Sequence, residues 1–376
     1  MNAAADPRIR LVASPRTWIP DEALRQLYST ARLEGVELSV GFPNLQAGGG
    51  TPVGITLVSR GVLHPHLLGQ DVGCGITLFG TDLLRSDARL EPWAAAPFDL
   101  EHAAGGASPG ELEAHQLKPT AFDGNLGTLG TGSHFAELQS VADVFDPREF
   151  RKLGLGRQQL ALLVHSGSGG LGEALLDSRL DYQFTTGVSP DSFLGQEFLR
   201  SQDQAVLWAR LNREIVARRF AALLGAETTP LWEACHNSIT SHDAKGTRLW
   251  IHRRGTLASN AGPVLLAGSR GSLTYVLKPL AGTRLHGNSL PHASGRKWAR
   301  SEARLRMRQR FGVAELLETP LGSRVICGER DLLYEDAPSA YKEVGDVVED
   351  LVDAGLVAAV ATLRPLLTYK NRKLRR

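Results

Sequence analysis

Asp71 and Cys74 stand three positions apart in a run of glycines, Gly69-Gln-Asp-Val-Gly-Cys-Gly-Ile76, and they constrain this chain more than any other feature. A carboxylate and a thiolate on so pliable a backbone can close on one transition metal. Three histidines in Gly- or Asn-bearing stretches further along, His134, His165 and His236, can complete a two-metal site. Soft sulfur, imidazole and hard oxygen together suit Mn, Fe, Co, Ni or Zn better than Mg or Ca. A thiolate can bridge two cations and hold them roughly 3.5 to 4 Å apart, the spacing that serves phosphoryl transfer. The competing reading is a small buried Cys beside a turn-making Asp, with histidines that only satisfy core or turn hydrogen bonds. Metal-binding residue types lie on both sides of every candidate boundary. One intertwined unit over residues 1–376 is therefore expected, with residues 1–35 as an N-terminal segment outside the motifs.

A hydrophobic content of 42% over 376 residues is enough to fill a sizeable core. No apolar run is long enough for a membrane span and no signal-type segment opens the chain, so a cytoplasmic protein with no membrane partner is expected. Three cysteines, Cys74, Cys235 and Cys327, are too few and odd in number for a disulfide framework, which favours a reducing compartment and metal or thiol chemistry. Net charge is only +2, yet residues 296–310 and 370–376 are strongly basic and form candidate phosphate-binding surface; the plainer reading is a solvated helix face and a tail.

The pattern of elements is α+β: β-sheets at the centre, helices outside, and a site where loops converge. β-Branched runs between Gly and Pro turns over residues 36–59 read as strands and hairpins, and residues 158–165 as another apolar run ending at glycines. Helical spacing is clearest over residues 196–224, with Gly225 as the stop signal. Further helices are expected over 297–311 and from Ala340 across Val344, Val347, Val348 and Leu351. Strand and helix signals do not alternate regularly, which disfavours a doubly wound sheet.

Two other stretches bear on chemistry. The Gly/Ser run after His165 resembles a phosphate-cradling loop but lacks the Lys of a P-loop. His292 precedes small residues and an expected helix start, with Arg296 and Arg300 following at helical spacing. A neutral imidazole there could attack phosphorus while guanidiniums take up the developing charge; the alternative is a surface His in a capping turn.

In this order Asp-Val-Gly-Cys-Gly, Gly-Thr-Leu-Gly-x-Gly-x-His-Phe-x-Glu, His-Ser-Gly-Ser, His-Asn, His-x-x-Gly-Arg, Ala-Tyr-Lys and Arg-Pro-Leu-Leu-Thr-Tyr-Lys resemble the RtcB family of GTP-dependent RNA ligases. The similarity spans about residues 40–376, and the compact length looks most like the branch coupled to release factor H, which makes a protein of that type a candidate partner. The resemblance implies an enzyme with two Mn²⁺ and GTP that joins RNA 3′-phosphate or 2′,3′-cyclic phosphate ends to 5′-hydroxyl ends through a GMP-histidine, in repair of broken tRNA or rRNA. It implies that Cys74 bridges the metals, with Asp71 and His134 on one and His165 and His236 on the other. It further implies His292 as nucleophile, and Ser133, Glu137, Asn237, Ser269, Thr274, Ala293, Ser294, Gly295 and Lys370 around the guanosine nucleotide. Arg296 and Arg300 are candidates for RNA phosphate.

The chain departs from that pattern at several places. Ser133 replaces the usual Asn before the first histidine ligand, Asn44-Leu-Gln46 replaces Asp-x-His, Ala293-Ser294 replaces Gly-Ala, and Arg270 replaces the customary Met. Two other functions are compatible with the same residues: a metal-dependent phosphoesterase that opens cyclic phosphates without sealing, and a non-catalytic RNA-binding factor.

Overall fold

The computed structural model describes residues 6–102, 105–130, 132–177 and 186–371. Its architecture is mixed α+β, built on two large sheets with helices packed outside. One sheet runs β1 (Ile9–Leu11), β2 (Val36–Gln46), β3 (Val53–Arg60), β9 (Thr247–Arg254), β8 (Asn237–Ala244). The other runs β11 (Val264–Leu266), β12 (Thr274–Pro279), β15 (Val357–Asn371), β5 (Phe135–Val144), β6 (Gln159–Ser166), β4 (Gly75–Leu84), β7 (Thr228–Cys235), with β14 (Arg324–Cys327) beside β15. A short ribbon pairs β10 (Thr256–Ala258) with β13 (Ser289–Pro291). Among the described strands only β1 with β2 and β14 with β15 pair in parallel.

Strand β6 shows how a period of two sorts side chains between layers. Leu160, Leu162 and Val164 pack with Val216, Ala217 and Phe220 of the helix Phe193–Leu224. Ala161 and Leu163 turn the other way, into a cluster with Ile76, Leu78, Leu265 and Val276. Burial of each such aliphatic side chain contributes about 1.5–3 kcal/mol, and the alternation leaves His165 in the second row.

The long helix starts at Phe193, three residues before its expected start, because Ser192 Oγ accepts the Gly195 N–H at 3.1 Å and caps it. It ends as expected at Gly225, whose φ of 69° is left-handed. The basic helix is shorter than expected, Arg300–Arg310. The residues before it are held extended: Arg296 bridges Tyr341, and the Lys297 N–H donates to the Ala340 carbonyl at 2.8 Å. Arg296 thus lies off the helix, and its expected helical spacing to Arg300 does not occur. The third helix, Val344–Asp353, starts later than expected, because Ala340 ends a separate short 3₁₀ turn, Pro338–Ala340; it buries Val344, Val347, Val348 and Leu351 as its pattern predicts. Basic residues 372–376 lie outside the described residues. No described helix is long and apolar enough to cross a membrane.

The topology gathers strand ends at one place. Gly75 on β4 is opposite both Ser166 on β6 and Cys235 on β7, while Phe135 on β5 is opposite His165. His236 is the single residue between β7 and β8, where the chain leaves one sheet for the other. Gly255 separates β9 from β10 in the same neighbourhood, and its N–H donates to the His236 carbonyl at 2.9 Å.

Candidate metal and nucleotide site

The turn carrying Asp71 and Cys74 is clamped by the chain crossing at His236 and Asn237. The His236 N–H donates to the Cys74 carbonyl at 2.9 Å, the Gly73 N–H to the Asn237 carbonyl at 2.9 Å, and Asn237 Nδ2 to the Asp71 carbonyl at 3.1 Å. Gly73 has φ of 79°, and a Cβ on it would meet the Ala205 carbonyl of the long helix at 2.9 Å, so only glycine fits. At Gly167 a Cβ would lie 2.1 Å from Asp71 Oδ1, so a side chain there would displace that carboxylate.

Around this turn the five expected ligands converge. Cys74 Sγ is 3.5 Å from His134 Nε2 and 3.3 Å from His165 Nε2, and His134 Nε2 is 3.4 Å from Asp71 Oδ2. Ligand atoms form two overlapping sets, Cys74 with His165 and His236, and Cys74 with Asp71 and His134, each within 4.8 Å internally. His134 Nδ1 donates to the Leu129 carbonyl at 3.1 Å, which turns Nε2 toward the thiol. His236 Nδ1 is buried without a partner among the described residues.

The electrostatics are compatible with a donor set for cations. Burial, then the charges of His134 and His292, pulls His165 well below the usual imidazole range, and burial with His292 and His165 does the same to His236. Burial and the Asp71 carboxylate push the Cys74 thiol well up. For Asp71 burial opposes ionisation, but the His134 hydrogen bond and charge outweigh it and lower its pKa. Neutral imidazoles are ready to donate lone pairs, and a cation would release the thiol proton. The residues therefore fit two metal ions sharing one sulfur.

His292 stacks on His236, ring centroids 3.9 Å apart and 20° between planes, and lies 5.8 Å from His165. Its Nδ1 donates to the Gly255 carbonyl at 2.7 Å, which leaves Nε2 with the lone pair. Burial lowers its pKa to about 4, so the ring is neutral at physiological pH.

His292 and His165 stand in the wall of a cavity of about 860 Å³, within the size of small-molecule sites. Glu137, Lys370, Ser133, Ser269, Ala293, Ser294, Gly295, Arg296 and Arg300 also line it. A neighbouring cavity of about 430 Å³ is lined by Asp71, His134 and the glycines after Ser166; Ser133 and Arg300 belong to both walls. Two expected nucleotide residues are placed elsewhere. Thr274 is buried and accepts from Gln139 Nε2 at 2.9 Å, and Asn237 braces the Asp71 turn and Gly255. Neither lines the large cavity.

Arg296 points to a different partner from the one expected. Nη1 is 2.8 Å from Asp336 Oδ1, the side chain is 11% exposed, and the guanidinium sits 4.9 Å from the Tyr341 ring centre. Asp336 Oδ2 also pairs with Lys370 Nζ at 2.7 Å. Burial disfavours its charge, but Lys370, Arg300 and Arg296 overcome that and hold the carboxyl far below its ordinary range. Nothing in the spacing around Asp336 marks it out, and this hub of the cavity is a residue that sequence reasoning missed. Glu137 shows the reverse balance: burial raises it to about 7, against hydrogen bonds from Thr368 and Gln139.

The family model described as tRNA-splicing ligase RtcB matches residues 91–371. The chain belongs to the RtcB family. It is 37% identical over 366 residues to RNA-splicing ligase RtcB2 of Escherichia coli, covering 96% of this chain and 95% of that protein. It is 28% identical to tRNA-splicing ligase RtcB of Archaeoglobus fulgidus, over 93% of this chain and 91% of the relative. RNA-splicing ligase RtcB of Mycobacterium tuberculosis is 26% identical, over 92% of this chain and all of the relative. The RtcB resemblance seen in the motifs thus holds over nearly the whole length.

Proposed function

We propose that this RtcB protein is an RNA ligase that seals 3′-phosphate or 2′,3′-cyclic phosphate ends to 5′-hydroxyl ends, using GTP and two Mn²⁺. The observation that carries the reading is His292, its Nδ1 hydrogen-bonded to the Gly255 carbonyl, stacked on His236 beside two candidate donor sets that share Cys74, in the wall of a cavity of nucleotide size. Cys74 would be shared, with Asp71 and His134 holding one ion and His165 and His236 the other. When bound, such ions neutralise charge developing on phosphoryl oxygens.

The chain's own groups supply the rest. His292 Nε2 attacks the α-phosphorus of GTP, forming a P–N bond as pyrophosphate leaves. The Gly255 carbonyl accepts the Nδ1–H hydrogen bond throughout and stabilises the charge that the ring acquires. GMP then passes to an RNA 3′-phosphate, giving an anhydride and restoring the neutral imidazole; a cyclic end must first be opened by hydrolysis. Attack by the 5′-hydroxyl oxygen on the activated phosphorus forms the new phosphodiester and expels GMP. Glu137 and Lys370 would hold the base, and Ser133, Ser269 and the Ala293 to Gly295 turn the rest of the nucleotide. Arg300, which lines both cavities, would meet RNA phosphate. Release factor H-type partners, broken tRNA or rRNA as substrate, and a cytoplasmic site of action complete the proposal.

The test is incubation with α-labelled GTP and Mn²⁺. Acid-labile label should appear on wild type and be lost in His292→Ala. Unlabelled wild type, with nucleotide hydrolysis or cyclic-phosphate opening intact, would replace sealing with phosphoesterase chemistry.

A further inference from the structure

One cation in the cavity wall is left without a task by the scheme above. Arg270 is 6% exposed, lines the large cavity, and donates from Nη2 to the Leu333 carbonyl at 2.9 Å. Its Nε and Nη1 are buried and have no partner among the described residues. Asp336, the acid whose charge bears on it most, is already engaged by Arg296 and Lys370. A guanidinium carries five N–H donors on a rigid plane. Whichever hydrogen Nη2 gives to Leu333, one edge of that plane keeps both of its donors. Burying a cation with donors unmet is costly, and a Met at this position, as in the resemblance, would avoid the cost. The arrangement is complete once acceptors enter from the cavity.

The other groups at this end show which acceptors fit. Glu137 is an acceptor; Arg296 spends its charge on Asp336, and Lys370 gives that carboxylate one of its three N–H donors and can still support the base beside Arg270. Guanine has two adjacent N–H donors, at N1 and N2, and two adjacent acceptors, O6 and N7. Adenine has a donor, N6–H, where guanine has O6, so a two-donor guanidinium edge rejects it.

We propose that Arg270 takes the O6/N7 edge of the guanine base while Glu137 takes N1–H and N2–H, which makes Arg270 a specificity-determining residue. This rests on the ligase reading, in which a guanosine nucleotide fills the cavity.

The test compares wild type, Arg270→Met and Arg270→Lys as full-length protein with Mn²⁺, labelled by α-labelled GTP, ATP or 7-deaza-GTP, which lacks the N7 acceptor. Wild type should need at least about tenfold more 7-deaza-GTP than GTP for half-maximal labelling, and its preference for GTP over ATP should fall at least about tenfold in Arg270→Met. That variant should treat GTP and 7-deaza-GTP alike. A purely structural Arg270 would lower stability and labelling without altering these ratios, and unchanged ratios in a folded variant overturn the inference while the ligase reading stands. Should Arg270→Met not fold, equal use of GTP and 7-deaza-GTP by wild type overturns it independently. Wild type unlabelled by any nucleotide removes the ligase reading and this inference together.

Discussion

At the scale of single residues, Cys74 is the group whose loss is most informative. Its sulfur belongs to both ligand sets, so Cys74→Ala should remove both ions, whereas His134→Ala should weaken chiefly one. Metal analysis after desalting should show close to none in the first variant, and labelling by GTP should fall more than about 100-fold. Glu137 gives a pH signature. Burial raises its folded-state pKa to about 7, above the unfolded value near 4.5, so the stability it contributes is present in acid and lost as pH rises through 7. Over that window the nucleotide-free protein should lose about 3 kcal/mol that Glu137→Gln does not. Urea midpoints between pH 5 and 8 would measure this. Guanine recognition has the opposite sign, because only the carboxylate accepts both base N–H groups: GTP half-saturation should improve from pH 6 to 8 in wild type and stay flat in Glu137→Gln.

At the scale of elements, the site depends on a turn pressed against a helix. Gly73→Ala would force a left-handed backbone on alanine, about 1–2 kcal/mol, and drive its Cβ into the Ala205 carbonyl. Thermal unfolding should show a loss of at least about 2 kcal/mol, with metal affinity falling too because Cys74 is the next residue. Arg213 ties the same helix to the sheet: it is fully buried and donates to Thr77 Oγ1, the Ser166 carbonyl and Glu233 Oε1 at 2.8, 2.9 and 2.6 Å. What was legible beforehand follows from how local each signal is. The stop at Gly225 and the row Val344, Val347, Val348, Leu351 are local patterns, and both form. The start at Arg300 was not legible, because extended pairing of Arg296 with Tyr341, 45 residues away, overrides helix propensity. Asp71, Cys74 and the histidines could be read from residue type and neighbouring glycines. Asp336 could not, since its role comes only from Arg296 and Lys370 meeting it in space.

At the scale of the whole molecule, the proposed ligands do not belong to one layer. Cys74 leads into β4, His134 into β5, and His165 lies on β6, all in the eight-stranded sheet, while His236 is the step into the five-stranded one. His292 follows the β13 ribbon and contacts the step at Gly255. Ions held by this set would therefore pin the junction between sheets, and unfolding would have to release them. Binding that favours the folded state adds about 2.7 kcal/mol per site at a hundredfold excess over Kd. For a chain of this size that amounts to a rise in Tm of a few degrees at most per ion. Adding Mn²⁺ to chelator-treated protein should produce such a rise in one cooperative transition, and Cys74→Ala should abolish it. If the sheets instead melt in two steps, only the later of which responds to Mn²⁺, the cations would be fastening a single layer, and the coupling between His236 and the remaining ligands would be geometric without being energetic.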